Sequence, residues 1–305
     1  MVRYTFIVVD FHLLLLAGVT GASLFYRTEP QLEACRIQIP YASGHLHGLN
    51  LKVDGASQGA VLIHLGYDAY MEEFVDLAQA IRAAGFDAIL FDGPGQGTTL
   101  MQERIPMTHA WEEPVGAVLD YLTIGEATLI GVSLGGYLAL RAAAFEPRIK
   151  RVVAYDVMLD FFQCVTSRRG PLAGLVLRTL TKMRATLALN LLADVLMKHD
   201  LYSRWGIEQG MHVMGCRTPA DYFSALRCYE LRSISSKLTQ DVFVMAGSED
   251  HFVPLEQFYE QLRLLTNARS VTGRVFTRAE TAQSHCQVGN LALAAAEILG
   301  WLALR

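Results

Sequence analysis

From residue 36 onward, the chain alternates short apolar runs with stretches whose apolar residues recur at helical spacing. Short runs bounded by turn residues predict buried strands of a mostly parallel sheet with helices on both faces, an α/β fold. The predicted strands are residues 60–64, 86–91, 127–130, 151–155, 242–246 and 271–276. The predicted helices are residues 69–84, 111–122, 138–145, 255–265 and 291–304.

The first elements of this region differ from the rest. Residues 36–40 and 50–53 alternate apolar with polar side chains around a turn-rich segment, residues 42–48, and therefore predict an antiparallel hairpin. His45 and His47 lie in the predicted turn. We expect them to be solvated loop histidines, because the sequence offers no further ligands for a metal site.

The alternation stops after Asp156, and residues 157–237 carry leucines and methionines at helical spacing. We interpret this stretch as a helical cap inserted between two core segments, residues 36–156 and 238–305. Within the cap, Thr218, Pro219 and Asp221 predict the start of a helix, with an N-cap, a first-turn proline and an acidic third residue.

The first 35 residues form a separate apolar segment. Residues 5–25 are mostly apolar, with Arg3 before them and small residues near their end, as in a signal peptide or membrane anchor. Asp10 and His12 argue against this, because a carboxylate inside a membrane span costs about 2.5–3.5 kcal/mol. Two interpretations stay open: a cap-associated helix, or a signal or anchor.

Composition limits the classes of partner. The 305 residues carry a net charge of −4 and no basic run, which disfavours a nucleic-acid partner. Five cysteines, without a C-x-x-C pair, fit reduced thiols in a cytoplasmic enzyme. Export or membrane attachment is expected only if residues 5–25 serve as a signal or anchor, and a homodimer is left open.

A nucleophile motif lies in the middle of the predicted core. Residues 131–135 spell Gly-Val-Ser-Leu-Gly, which matches G-x-S-x-G with Ser133 at its centre. Three fixed positions match by chance roughly 0.1 times in 300 residues, so the motif alone is weak. Its setting between a predicted strand and a predicted helix is the context that the motif requires.

A serine hydroxyl needs a base, and in this fold the chain order is serine, acid, histidine. His285 lies in a polar loop between the last strand and the last helix, and we predict that it is the base. Asp250 follows the strand at residues 242–246 and is the favoured acid. Glu249 would face the other way, and Asp156 is a third candidate, because some members of the fold place the acid there.

The developing oxyanion needs hydrogen-bond donors. The N–H of Leu134, directly after the serine, supplies the first. The second comes from the loop after the strand at residues 60–64, from Gly66 or Tyr67, and the sequence does not decide between them. His64 is expected to be structural.

These motifs carry a family resemblance over residue 36 to the end. The phrases HLGYDAYMEEF, FDGPGQG, GVSLGGYLALRAAA, AGSEDHFVP and SHCQVGN resemble α/β-hydrolases of three kinds. These are the fermentation-respiration switch protein-like esterases, the dihydroxypseudooxynicotine hydrolases and the fungal hydrolases that shorten pigment polyketides. The resemblance implies a triad of Ser133, Asp250 and His285 without a metal or organic cofactor, in a group that cleaves ester or carbon–carbon bonds.

Two departures from the group are visible. Many relatives have His-Gly-Gly where this chain has His64-Leu65-Gly66, and many have a longer helical segment before the first strand.

The leading hypothesis is a serine hydrolase for an apolar acyl substrate, and the alternative is a hydrolase that cleaves a carbon–carbon bond next to a ketone. A nucleotide site is disfavoured, because the glycines around Pro94 match neither G-x-G-x-x-G nor a P-loop. A non-catalytic binding protein would be expected to have lost a triad residue, and this chain keeps all three.

Overall fold

A computed structural model of the chain describes residues 29–167 and 169–304, which form eight strands and eleven α-helices. The strands are β1 Arg36–Tyr41, β2 Gly44–Leu51, β3 Ala60–His64, β4 Asp87–Asp92, β5 Ala127–Val132, β6 Ile149–Tyr155, β7 Asp241–Gly247 and β8 Ser270–Phe276. The helices are α1 Pro30–Glu33, α2 Val75–Ala83, α3 Glu112–Tyr121, α4 Leu134–Phe145, α5 Phe161–Ser167, α6 Gly170–Lys182, α7 Thr186–His199, α8 Leu201–Val213, α9 Pro219–Leu226, α10 Leu255–Leu264 and α11 Leu291–Leu302.

All eight strands join one sheet in the order β1-β2-β4-β3-β5-β6-β7-β8. β2 runs antiparallel to β1 and β4, and the six strands from β3 to β8 run parallel. The predicted α/β fold with a mostly parallel sheet is therefore confirmed. Because β3 to β8 are parallel, the loops at their carboxyl ends meet along one edge of the sheet.

Helices cover both faces of the sheet. Side chains alternate across each strand, so Leu62 and Leu129 pack on one face while Ile63 and Ile130 pack on the other. Helices α3, α4 and α10 cover the first face, and α2 and α11 cover the second. The core is thus divided into two apolar layers with the sheet between them.

Five helices, α5 to α9, lie between β6 and β7 in the chain, within the stretch predicted as the cap. The predicted start of α9 is confirmed. The Thr218 hydroxyl accepts a hydrogen bond from the Asp221 N–H at 3.2 Å, and the Asp221 carboxylate accepts one from the Thr218 N–H at 3.1 Å. These two bonds satisfy backbone donors that a helix start leaves open.

The predicted hairpin forms, but its turn was placed wrongly. β2 begins at Gly44, so most of the predicted turn is strand. A Cβ on Gly48 would lie 2.9 Å from the Leu90 carbonyl oxygen, so this glycine permits close strand packing. His47 is accordingly not a solvated loop residue: it is 2% exposed, and its Nε2 lies 2.9 Å from a Glu103 oxygen.

Two predicted helix boundaries also change. The helix predicted at residues 138–145 begins four residues earlier, at Leu134. The stretch predicted as one helix at residues 69–84 consists of a 3₁₀ turn, Met71–Phe74, followed by α2. In both places a turn leads directly into a helix, so the apolar pattern of the sequence shows no boundary between them.

Of the predicted N-terminal segment, residues 1–28 lie outside the described residues, and with them the prediction of a cap helix, signal or anchor. The remaining part contains α1, whose Leu32 is buried among the residues of the second layer. Among the described helices, none combines the length and apolar character needed to cross a bilayer.

Candidate active site

Ser133 lies at the sharp turn between β5 and α4. Its backbone has φ 62° and ψ −125°, which a non-glycine residue rarely adopts. The neighbouring glycines make this turn possible: a Cβ on Gly131 would lie 1.9 Å from the Gly135 carbonyl oxygen, and one on Gly136 would lie 1.9 Å from the Asp156 carbonyl oxygen. The turn therefore presents the serine hydroxyl at the carboxyl edge of the sheet, as a nucleophile elbow does.

His285 and Asp250 extend from Ser133 in a continuous hydrogen-bonded chain. The Ser133 Oγ lies 2.8 Å from the His285 Nε2, and the His285 Nδ1 lies 2.6 Å from the Asp250 Oδ2. The other Asp250 oxygen accepts hydrogen bonds from the N–H groups of Phe252 and Val253, at 2.7 and 3.0 Å. The three residues predicted from chain order thus lie in contact, although 117 and 35 residues separate them in sequence.

The charges of Asp250 and His285 stabilise each other. Burial opposes ionisation of Asp250, but the hydrogen bond from His285 and the two backbone N–H groups lower its pKa. Burial likewise opposes protonation of His285, whereas the neighbouring Cys286 and the bond to Asp250 favour it, and the pKa of His285 lies well above 6.5. The arrangement stabilises an imidazolium beside a carboxylate.

Neither of the two alternative acids hydrogen-bonds the imidazole. Glu249 points away and forms an ion pair with Arg278, with 3.0 Å between Oε1 and Nε. Asp156 is 1% exposed, and its Oδ2 lies 3.8 Å from the His285 Nδ1, beyond hydrogen-bond distance. Asp250 alone among the three candidates hydrogen-bonds the imidazole.

Of the predicted oxyanion residues, Leu134 and Gly66 lie directly beside the serine, and Tyr67 lines the same cavity. Leu134 is the first residue of α4, where backbone N–H groups lack partners within the helix. Gly66 lies directly against the turn, since a Cβ there would be 2.8 Å from the Leu134 nitrogen and 3.0 Å from the Ser133 Cβ. The Tyr67 side chain reaches across to the helices that follow β6, where its hydroxyl lies 3.2 Å from the Tyr222 hydroxyl. His64 is fully buried behind them, and burial lowers its pKa to about 3.

Gln96, which was not among the predicted site residues, braces this loop. Its side-chain nitrogen donates to the carbonyls of Leu65 and Gly66, the latter at 3.1 Å, and its side-chain oxygen accepts from the Gly93 N–H at 2.9 Å. Gln96 belongs to the FDGPGQG phrase, which entered the sequence interpretation only as part of the family resemblance. No local signal connects this phrase with the loop after β3, because the contact spans about thirty residues.

A cavity of about 370 Å³ opens onto Ser133 and His285. Apolar and aromatic side chains from α5 to α9 form most of its wall, together with residues of the core loops. Its lining includes Tyr67, Asp68, Met158, Phe161, Cys164, Val165, Leu177, Leu196, Tyr202, Trp205, Gly206, Ile207, Tyr222, Phe223 and Phe252. Asp68 lines this cavity and is exposed at its surface; partial desolvation raises the pKa of its carboxyl, while His285 opposes the shift. An apolar chamber beside a serine–histidine pair is suited to an apolar carbonyl compound.

Comparison with known proteins gives several fungal relatives. Hydrolase acrC of Aspergillus aculeatus is 27% identical over 278 residues, covering 82% of this chain and 64% of that protein. Hydrolase LUC6 of Fusarium sp is 29% identical over 236 residues, covering 71% and 55%. The 20-hydroxy-prefusarin hydrolase FUS2 of Gibberella moniliformis is 31% identical over 205 residues, covering 61% and 46%. The chain thus spans about half to two thirds of the length of these relatives.

Solved structures and a family model agree on the fold. The 2,6-dihydroxy-pseudo-oxynicotine hydrolase superimposes with a TM-score of 0.69 at 20% identity, covering 93% of this chain and 72% of that one. AbyA5 gives a TM-score of 0.67 at 18% identity, with the same coverage. The model of the alpha/beta hydrolase family matches residues 60–281, from β3 through the loop before His285. This chain therefore belongs to the alpha/beta hydrolase family.

Proposed function

We propose that this chain is a serine hydrolase that cleaves an ester or another activated carbonyl compound through an acyl intermediate on Ser133. The observation that carries the proposal is the hydrogen-bonded chain Ser133–His285–Asp250, with distances of 2.8 and 2.6 Å, at the end of an apolar cavity. A serine hydroxyl becomes a useful nucleophile when an oriented histidine accepts its proton.

The reaction takes two similar steps. As the Ser133 Oγ bonds to the carbonyl carbon, its proton passes to the His285 Nε2, and the carbonyl π electrons move onto the oxygen. Asp250 stabilises the resulting imidazolium. The N–H of Leu134, with that of Gly66 or Tyr67, donates to the oxyanion. When the oxyanion collapses, the bond to the leaving group breaks, and the leaving group takes the proton from His285.

Water then releases the acyl group. His285 accepts a proton from water as the water oxygen bonds to the acyl carbon, and a second oxyanion forms in the same place. Its collapse breaks the bond to Ser133, whose oxygen recovers the proton from His285. The products are a carboxylic acid and the free enzyme.

The lining of the cavity supports a small apolar substrate. Within it, the Arg169 and Asp200 side chains pair with each other at 2.5 Å. Two similar proteins are named as hydrolases of 20-hydroxy-prefusarin and of 2,6-dihydroxy-pseudo-oxynicotine. A small acyl or ketone compound fits this cavity better than a charged polymer does.

The position of Asp68 in the cavity supports a second candidate function, hydrolysis of a carbon–carbon bond next to a ketone. Such a reaction begins with the same attack by Ser133, but the leaving group is a carbanion that needs a proton. Asp68 lines the same cavity as Ser133 and His285, and desolvation raises the pKa of its carboxyl, the direction that a proton donor for the carbanion requires. Neither Glu208 nor Glu230, the glutamates of the predicted cap, lines the cavity.

Rates of hydrolysis measured on two panels of substrates test the proposal and distinguish the two candidate functions. We expect hydrolysis of p-nitrophenyl esters or of β-diketones by the wild-type protein. Both Ser133→Ala and His285→Ala should lower kcat about 10³-fold or more, because each removes a member of a unit that acts together. Asp68→Asn should affect only β-diketone cleavage. Ester and diketone hydrolysis that survives in Ser133→Ala would disprove the mechanism.

A further inference from the structure

Asp156 is a buried carboxylate beside the site that the proposed mechanism does not use. It follows β6 directly and is 1% exposed, and its Oδ2 lies 3.8 Å from the His285 Nδ1. Asp250 already occupies the hydrogen-bonding position at 2.6 Å. A buried carboxylate is costly unless its oxygens are hydrogen-bonded, so its partners indicate why it is there.

Both oxygens of Asp156 bind the two residues that follow His285. The Oδ2 accepts a hydrogen bond from the Cys286 N–H at 2.8 Å, and the Oδ1 accepts one from the Gln287 side-chain nitrogen at 2.9 Å. Tyr155, the residue before Asp156, donates its hydroxyl to the Cys286 carbonyl at 3.0 Å. Tyr155 and Asp156, at the end of β6, therefore hold the two residues directly after the histidine by hydrogen bonds.

That backbone is in an unfavourable conformation. Cys286 has φ 49° and Gln287 has φ 50°, so two consecutive non-glycine residues are left-handed. Residues of this type persist in that region only where the surrounding structure holds them. The bonds from Asp156 reach both of these residues, and the turn they hold directs His285 toward Ser133.

We propose that Asp156 is a positioning residue that holds the left-handed turn after His285 and thereby keeps the imidazole between Ser133 and Asp250. The inference rests on the proposed role of His285 as the base. It assigns different tasks to the two aspartates: Asp250 contacts the imidazole, and Asp156 holds the backbone that carries it.

Several titratable groups surround His285, and Asp156 belongs to this set. The groups that face the imidazole from the neighbouring loops are Asp68, Asp156, Asp250, His251 and Cys286. Burial raises the pKa of Asp156, and the charge of His285 together with the bonds from Gln287 and Cys286 opposes this shift. The test therefore has to separate the loss of hydrogen bonds from the loss of charge.

Two substitutions achieve this separation. Asp156→Ala removes both acceptors. Asp156→Asn removes the charge but keeps an oxygen for the Cys286 N–H. Its new amide group can donate to the Gln287 Oε1, which has no hydrogen-bond partner among the described residues, once the Gln287 amide turns over. Asp241→Asn is the matched control, a 7%-exposed aspartate at the opposite end of the sheet.

The measurement is the rate at which a fluorophosphonate labels Ser133 in each folded variant. We expect Asp156→Ala to lower the rate about tenfold to a hundredfold, because small displacements of a catalytic group have effects of that size. Asp156→Asn should recover most of the rate, and Asp241→Asn should leave it unchanged. Equal rates for Asp156→Ala and wild type, or equal losses in Asp156→Ala and Asp156→Asn, would overturn the inference.

A second readout does not need activity. In a Ser133→Ala background, NMR should detect the His285 Nδ1 proton that is shared with Asp250, and this signal should persist in Asp156→Asn and weaken in Asp156→Ala. If Asp156→Ala does not fold, Gln287→Ala replaces it and should weaken the signal in part. An unchanged signal in the variant used contradicts the inference. Absence of labelling in the wild-type protein contradicts only the proposed function.

Discussion

Ser133 shows how much one residue's position depends on its immediate neighbours. The glycines at 131, 135 and 136 are needed because their missing side chains leave room for backbone oxygens of the turn and of two neighbouring loops. This constraint is local, so the sequence motif could predict the turn. The choice among Asp250, Glu249 and Asp156 depends on loops that meet only in the folded chain, and the sequence could rank them but not exclude any.

The pH dependence of kcat/KM follows from His285. The imidazole must be neutral to accept the serine proton, and its pKa lies well above 6.5, so activity should be lost as the pH falls through that raised value. Asp250→Asn removes the anion that favours the imidazolium. This substitution should move the acid limb of the kcat/KM profile to lower pH. It should also lower the maximal kcat/KM about 10⁴-fold, as loss of an orienting carboxylate does in other triads.

A pH–rate profile of ester hydrolysis checks this. An acid limb at or below pH 6.5 in the wild-type protein, or one that Asp250→Asn does not move, would contradict the expected electrostatics.

At the scale of elements, the site is assembled from four loops at the carboxyl edge of the sheet. They follow β3, β5, β7 and β8, and the first is braced by Gln96 from the loop after β4. The order of strands and helices was predictable, because apolar periodicity is a local property. Two of the boundaries that were wrong involve glycines. Gly48 lies in β2 and Gly135 lies in α4, where each permits close packing, and a sequence pattern cannot distinguish such a glycine from one that makes a turn.

Gly66→Ala tests the packing of the loop after β3 on the nucleophile turn. The added Cβ would lie 2.8 Å from the Leu134 nitrogen and 2.9 Å from the Val132 carbonyl oxygen, so the backbone would have to shift. We expect kcat/KM for esters to fall about tenfold to a hundredfold.

Gly300→Ala is the control in α11, where a Cβ meets nothing within 4 Å. It should leave kcat/KM unchanged and raise the free energy of unfolding by about 0.5–1 kcal/mol. A wild-type rate in Gly66→Ala would show that this loop does not support the oxyanion.

At the scale of the whole molecule, the cavity forms where helices α5 to α9 lie over the carboxyl edge of the sheet. Its wall draws on residues from Tyr67 to His285, and which side chains face inward depends on how the helices cross. The sequence predicted a helical insertion between β6 and β7 but not the lining of a cavity. Substrate class is therefore better inferred from the cavity than from the motifs.

Gly206 is a position at which the cavity can be reduced by an added side chain. It lies in α8, lines the cavity, and a Cβ there would meet nothing within 4 Å. Gly206→Leu should lower kcat/KM for p-nitrophenyl octanoate more than for p-nitrophenyl acetate, because the longer acyl chain needs the occupied volume. Gly206→Ala is the smaller control. An equal effect on both esters would show that the acyl chain binds elsewhere.

The nucleophilic role of Ser133 is tested most directly by mapping a fluorophosphonate adduct by mass spectrometry. We expect one adduct per chain on the peptide that contains Ser133, its loss in Ser133→Ala, and strongly slowed formation in His285→Ala, because the hydroxyl then lacks its base. An adduct that forms elsewhere, or one that forms on Ser133 at the same rate with and without His285, would contradict the assignment of this site.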